Sequence, residues 1–69
     1  MPIITIEMLE GRTLEQKREL AEAITREVSR ITNAPPEAVS IIIREMPTTN
    51  FSKAGRLRYD VDEENTNKG

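Results

Sequence analysis

The chain opens on a short run in which apolar and β-branched residues dominate. Residues 3–8 read Ile-Ile-Thr-Ile-Glu-Met, and such a run is typical of a β-strand. Pro2 stands directly before it, where proline is tolerated because the first residue of a strand needs no ladder donor. The pattern therefore predicts a strand that starts almost at the beginning of the chain.

A helical period follows the turn that Gly11 marks. Thr13 and Gln16 are spaced as a capping box, with Thr13 as the N-cap and Gln16 reaching back from the third helical position. Asn33 suits the left-handed position after a helix, and Pro35-Pro36 cannot continue one. Between these signals, apolar residues recur three, four or seven positions apart, which predicts one amphipathic helix of about 19 residues. They are Leu14, Leu20, Ala21, Ile24, Val28 and Ile31.

A second strand is predicted at residues 39–46, Val-Ser-Ile-Ile-Ile-Arg-Glu-Met, before Pro47. Its consecutive isoleucines favour burial on both faces, as in a parallel strand with a helix on one side. Strand, helix and strand make a β-α-β unit with a right-handed crossover. Because two strands are not independently stable in water, the other sheet face and the open edge require a partner subunit. The fold class is α/β, or α+β when a C-terminal hairpin is included.

The last third of the chain carries weaker signals. Residues 51–60 contain two short mixed segments on either side of Gly55, which predicts a small hairpin. Residues 61–69 are polar and acidic, and we expect a disordered tail there. No repeat or linker divides the chain, so we predict one domain at 1–60 followed by the tail at 61–69.

Composition adds one expectation, because large side chains are scarce. The chain has 69 residues with one Tyr, one Phe and no Trp, and a chain of this size buries only about 60% of its unfolded surface. It has no Cys, so neither a disulfide nor a thiolate metal site can stabilise it. Oligomerisation is the remaining common remedy. We therefore predict an obligate homo-oligomer.

Charge and hydropathy exclude other classes of protein. Ten basic and twelve acidic residues give a net charge of −2, whereas a nucleic-acid surface needs clustered basic residues. No apolar run approaches the roughly 20 residues of a membrane span, and no signal peptide is present. We expect a cytoplasmic protein with neither a nucleic-acid nor a membrane partner.

The candidate chemistry lies at the start of the chain. Without His or Cys, no Ser-His, Cys-His or His-metal arrangement is possible. Proline after the initiator usually lets Met1 be removed, so that Pro2 becomes a free secondary amine. An α-amine has a lower reference pKa than lysine, and an apolar pocket or nearby arginines lower the pKa further. Such an amine suits general-base proton transfer next to a carbonyl, without cofactor or metal. Glu7 is interpreted as an edge or interface residue.

A set of short motifs then appears in order along the chain. They are Pro2, Leu-Glu-Gly-Arg at 9–12, Glu-Gln-Lys at 15–17, Ala-Pro at 34–35, Ile-Ile-Ile at 41–43 and Glu-Met at 45–46. Together they resemble the 4-oxalocrotonate tautomerase family, without a gap from Pro2 to about Phe51. The resemblance implies a tautomerase fold whose protomers dimerise into a four-stranded sheet and usually form a hexamer. It also implies that Pro2 is the catalytic base, moving a proton between oxygen and carbon of a 2-hydroxydienoate such as 2-hydroxymuconate.

The same resemblance gives roles to further residues. Arg12 matches the family arginine that binds a substrate carboxylate, and Phe51 matches the aromatic that lines the pocket and keeps the amine poorly solvated. The second family arginine aligns with Ser40, which offers a neutral hydrogen bond and no charge. Arg44 is a possible compensating arginine on the same strand face as Ser40. It lies about 13 Å further along the strand, so it cannot simply stand in from the same subunit.

Several alternatives stay open at this point. A neighbouring subunit could supply the missing charge through Lys53, Arg56 or Arg58. The same site could instead hydrate or dehalogenate unsaturated acids, which needs a carboxylate to activate water; none after Phe51 has an obvious pocket position. The chain could also be a non-catalytic oligomeric subunit, or one subunit type of a mixed oligomer.

Overall fold

The computed structural model describes residues 1–67 as a β-α-β unit with a C-terminal extension. Two strands, β1 and β2, pair in parallel, and the long helix α1 connects them. The extension consists of a two-stranded hairpin, β3 and β4, and a second helix, α2. The elements are β1 Ile3–Leu9, α1 Leu14–Thr32, a 3₁₀ turn Pro36–Ala38, β2 Ser40–Met46, a 3₁₀ turn Thr48–Asn50, β3 Ser52–Lys53, β4 Arg56–Leu57 and α2 Arg58–Asn67.

The two long strands are in register over their full length. Ile3 pairs with Ser40 at one end, and Leu9 pairs with Met46 at the other. One further backbone bond extends the ladder at the far end, where the Glu10 N–H donates to the Met46 carbonyl at 2.9 Å. The predicted strands and their parallel pairing are confirmed, with boundaries that differ by one residue at Leu9 and at Ser40.

Helix α1 begins and ends where its capping residues predict. The Thr13 hydroxyl accepts a hydrogen bond from the Gln16 N–H at 3.1 Å, and the Thr13 N–H donates to the Gln16 side chain at 2.9 Å. At the other end Asn33 adopts the left-handed conformation, with φ of 63°, which ends the helix. The capping box, the C-cap and the length of 19 residues are confirmed.

Thr13→Ala should lower the free energy of unfolding by about 1 kcal/mol, because it removes the acceptor for the Gln16 N–H. Urea denaturation of the two proteins at equal concentration measures this difference. Thr13→Ser keeps a capping hydroxyl and serves as the control. Equal midpoints for the alanine and serine variants would contradict the role of the cap.

The C-terminal extension differs from the prediction in part. The hairpin is confirmed, and positive φ values at Ala54 and Gly55, 54° and 79°, form its turn. The predicted disordered tail is wrong for residues 61–67, which belong to α2. Side-chain ion pairs support this polar helix: Arg58 Nε lies 2.9 Å from the Asp62 carboxylate, and Arg56 contacts Glu64. Residues 68–69, the rest of the predicted tail, lie outside the described residues.

A single protomer leaves much of its apolar surface uncovered. None of the described residues is fully buried, and Ile3, Ile31 and Ile42 are 63%, 68% and 43% exposed. The accessible surface is 5500 Å², whereas a compact monomer of this mass exposes about 4,400 Å². The radius of gyration is 16.3 Å, against about 11 Å for a compact domain of this length. Such a protomer is shaped to associate, because these apolar side chains are uncovered within the part of the chain that the structure describes.

No helix in the described part of the chain has the length and apolarity to cross a membrane.

Candidate active site

Pro2 and Ser40 lie together where the two parallel strands begin. The Ser40 N–H donates a hydrogen bond to the Pro2 carbonyl at 3.0 Å, and both residues are half-buried. This bond holds the backbone of Pro2 against the start of β2. Met1 precedes Pro2 and is 87% exposed, so the bond that must be cleaved to free the proline nitrogen is at an open end of the sheet.

Arg12 lies beyond the opposite end of β1. Its side chain is exposed and lines a cavity of about 320 Å³ between the end of β1 and the first turns of α1. Lys17, in the same cavity, forms an ion pair with Glu45 of β2. Within residues 1–67 Arg12 has no ion-pair partner. It is therefore a cation available to an external carboxylate.

Phe51 stands at that same end of the sheet and lines two depressions. The first has a volume of about 430 Å³ and is bounded by Glu7, Met8, Leu9 and Met46. Phe51 is held where the hairpin begins, because its carbonyl accepts a hydrogen bond from the Arg58 N–H at 2.8 Å. Phe51 is 37% exposed, so it can form part of a pocket wall.

The second depression beside Phe51 is a groove of about 390 Å³ between the hairpin and α2. Its lining combines apolar side chains with three cations and one carboxylate: Phe51, Lys53, Ala54, Arg56, Arg58, Val61, Asp62 and Asn65. The sequence does not single out Asp62 as a candidate, because its polar surroundings predict a disordered tail. The four-residue spacing from Arg58 to Asp62 is a helical ion-pair signal, and it could have indicated α2.

One protomer therefore does not unite the predicted site residues. Pro2 and Ser40 lie at the amino end of β1 and β2, whereas Arg12 and Phe51 lie past the carboxyl end. The seven residues of β1 separate these groups by about 23 Å, at roughly 3.3 Å per residue. Arg44 lies opposite Glu7 in the strand register, away from Ser40. A site that contains both the amine and Arg12 requires a second copy of the chain.

Comparison with known proteins gives a consistent result. The family model described as Tautomerase enzyme matches residues 2–57. A probable tautomerase of Streptococcus pneumoniae serotype 4 is 47% identical over 58 residues, covering 84% of this chain and 97% of the relative. A solved structure of the 4-oxalocrotonate tautomerase isozymes from Methylibium petroleiphilum is 41% identical with a TM-score of 0.87, covering 91% of this chain and 98% of that one.

A second solved structure is a heterohexamer 4-oxalocrotonate tautomerase from Chloroflexus aurantiacus J-10-fl. It is 36% identical with a TM-score of 0.83, and the match covers 88% of this chain and 98% of that one. The fold is thus the tautomerase fold, a β-α-β unit with a C-terminal hairpin. The chain belongs to the tautomerase family, and the resemblance noted from its motifs is confirmed.

Proposed function

We propose that this protein is a cofactor-independent tautomerase of enol and dienol acids such as 2-hydroxymuconate, with Pro2 as the general base. One observation carries the proposal: the family match starts at Pro2, a half-buried residue that precedes β1 and follows the exposed Met1. After removal of Met1, a secondary amine stands there, which no internal residue could provide. The reaction class follows from the family and from that amine.

The proposed reaction is a proton transfer in which no atom is lost or gained. The Pro2 amine accepts the proton of the enol hydroxyl, and the electron pair moves through the conjugated system as the carbonyl forms. The resulting ammonium then donates a proton to carbon and returns to the neutral amine. Arg12 binds a substrate carboxylate and draws negative charge away from the reacting centre. Phe51 limits the water around the amine.

Two copies of the chain are required to assemble this site, and we propose a cytoplasmic homo-oligomer. Antiparallel pairing of two sheet edges brings the amino end of one protomer beside the carboxyl end of the next, and it makes a four-stranded sheet. That arrangement places Arg12 and Phe51 of one copy near Pro2 of another. The exposed apolar residues support it, and the hexameric relative supports a trimer of such dimers.

The experiment that tests the function is the rate of 2-hydroxymuconate ketonisation by the purified protein, with Pro2→Ala measured alongside. We expect a clear rate that falls strongly in the variant, because alanine replaces the secondary amine by a primary amine without the ring. A rate that is indifferent to residue 2 would contradict the role of Pro2. Turnover that appears only after a second chain type is added would favour the mixed-oligomer alternative.

Ser40→Arg should raise kcat/KM for 2-hydroxymuconate by about tenfold to a hundredfold, the value of one charge-assisted hydrogen bond. The backbone bond from Ser40 to Pro2 stays in place, so the new guanidinium starts beside the base. Ser40→Gln is the control, because it adds length and hydrogen-bond donors without charge. If arginine and glutamine have the same small effect, another residue already supplies the charge.

A second candidate function uses the same site to hydrate or dehalogenate unsaturated acids. One observation favours this candidate, because Asp62 lines a groove beside Phe51. A carboxylate there could activate water, although Arg58 holds it in an ion pair. Assaying 3-chloroacrylate for chloride release separates the two functions: release that depends on Asp62 favours the second.

A further inference from the structure

The two faces of the β1–β2 sheet can be told apart by one ion pair. Lys17 of α1 contacts Glu45 of β2, so Glu45 marks the face that α1 covers. Successive side chains of a strand point to opposite faces, and Arg44 therefore lies on the other one. Its cross-strand partner Glu7 shares that face. We call this surface the far face, and the strand register gives its members as Ile3, Thr5, Glu7, Ser40, Ile42 and Arg44.

One end of the far face is suited to packing against another layer. Ile3 and Ile42 are both exposed, and the register makes them diagonal neighbours, since Ile3 lies opposite Ser40. Thr5, opposite Ile42, is exposed as well. Neighbouring apolar side chains on one strand face are typical of a surface that a second sheet covers, with the two sheets about 10 Å apart.

The other end of the far face is charged, and its charges are not paired with each other. Adjacent strands lie roughly 4.8 Å apart, so Glu7 and Arg44 are close neighbours, and both are exposed. Neither belongs to an ion pair within residues 1–67. A charge that is buried without a partner is costly. Whatever covers this face must therefore offer both a cation and an anion.

A second copy of this chain meets that requirement. Its far face carries the same two charges, and a two-fold contact is self-complementary, because each residue meets on the partner the residue that meets it in return. Glu7 of either copy can then pair with Arg44 of the other. Both side chains are long enough to meet between sheets about 10 Å apart. Two copies form two ion pairs in this way and leave neither charge over.

We propose that the far face is a contact between copies of this chain, and that two reciprocal ion pairs between Glu7 and Arg44 make the contact selective for a second copy. This contact joins sheet faces, whereas the dimer proposed above joins sheet edges. A trimer of dimers requires a second kind of contact in addition to the one within each dimer. The inference rests on the proposed homo-oligomer and is independent of the tautomerase reaction.

The test divides a charge exchange between two variants, Glu7→Arg and Arg44→Glu. In either variant alone the facing charges have the same sign, so analytical ultracentrifugation should show dissociation at concentrations about thirtyfold or more above those for the wild type. Refolded together, the two variants again present opposite charges to each other. Native mass spectrometry should then find both chains in the same oligomer. Refolding them together also keeps the test valid if either variant alone does not fold.

The Glu15–Arg18 ion pair provides matched controls, because it is exposed and lies on α1, away from the far face. Glu15→Arg and Arg18→Glu change the net charge by the same amounts, and each should assemble as the wild type does. Dissociation of these controls to the same extent would overturn the proposal, as would wild-type assembly of either far-face variant alone.

A chain that carries both Glu7→Arg and Arg44→Glu separates pairing between copies from pairing within one chain. Either kind of pairing allows this double variant to assemble, whereas only pairing between copies allows the mixture of single variants to do so. A mixture that does not assemble overturns the proposal. Ketonisation of 2-hydroxymuconate is measured separately, so a wild-type protein that assembles through the far face but has no turnover would refute the proposed reaction alone.

Discussion

Leaving Met1 in front of Pro2 should lower kcat/KM for 2-hydroxymuconate by about 10²- to 10⁴-fold, the usual contribution of a general base. With Met1 present, the proline nitrogen belongs to a peptide bond. Its lone pair is delocalised into the carbonyl, so it cannot accept a proton near neutral pH. Met1 is 87% exposed, and its retention should therefore alter the chemistry while leaving the fold intact.

The experiment compares two products of one fusion protein. Cleavage at one site leaves Pro2 as the first residue, and cleavage one residue earlier leaves Met1. Intact mass identifies each product, and circular dichroism and size-exclusion chromatography show whether fold and assembly are equal. For the product that begins with Pro2, kcat/KM should rise with pH as the free amine loses its proton. Equal rates for the two products would remove Pro2 from the mechanism.

Mixing two impaired variants should restore part of the activity if the site is shared between copies. The first variant retains Met1 and so lacks the base. The second, Arg12→Ala, lacks a charge-assisted carboxylate contact and should lose about tenfold to a hundredfold in kcat/KM. A mixed pair contains one site with both Pro2 and Arg12 and one site with neither. Random pairing should therefore recover about a quarter of the wild-type activity.

The reason for this expectation is the length of β1. Its seven residues keep Arg12 about 23 Å from Pro2 of the same chain, so a substrate of six carbons cannot touch both.

The variants are unfolded together in denaturant and refolded before assay. The control replaces the second variant by a chain that retains Met1 and also carries Arg12→Ala, since no mixed site then has a base. If mixing with the Arg12→Ala partner does not restore activity, either Pro2 and Arg12 act together within one subunit, or Arg12 is not part of the site.

Much of the fold was predictable because it depends on local patterns. The capping box at Thr13 and the left-handed Asn33 define α1 from neighbours within a few residues. The β-branched runs define two strands, and a helix between them leaves parallel pairing as the natural connection. The disordered tail was the error. Polar composition indicated disorder, whereas α2 forms with ion pairs to Arg56 and Arg58.

The candidate site, like the fold, was predictable from the sequence only in part. The sequence alone determined which residue types can act: a proline at position 2, an arginine after the first strand, a serine where the resemblance expects an arginine, and no histidine or cysteine. These features depend only on which amino acids occur and on their order in the chain. Only the tertiary structure decided which residues meet, because parallel pairing sends Pro2 and Ser40 to one end of the sheet and Arg12 and Phe51 to the other. Strand direction and strand length are the physical reason that one chain carries the parts of the proposed site without assembling it.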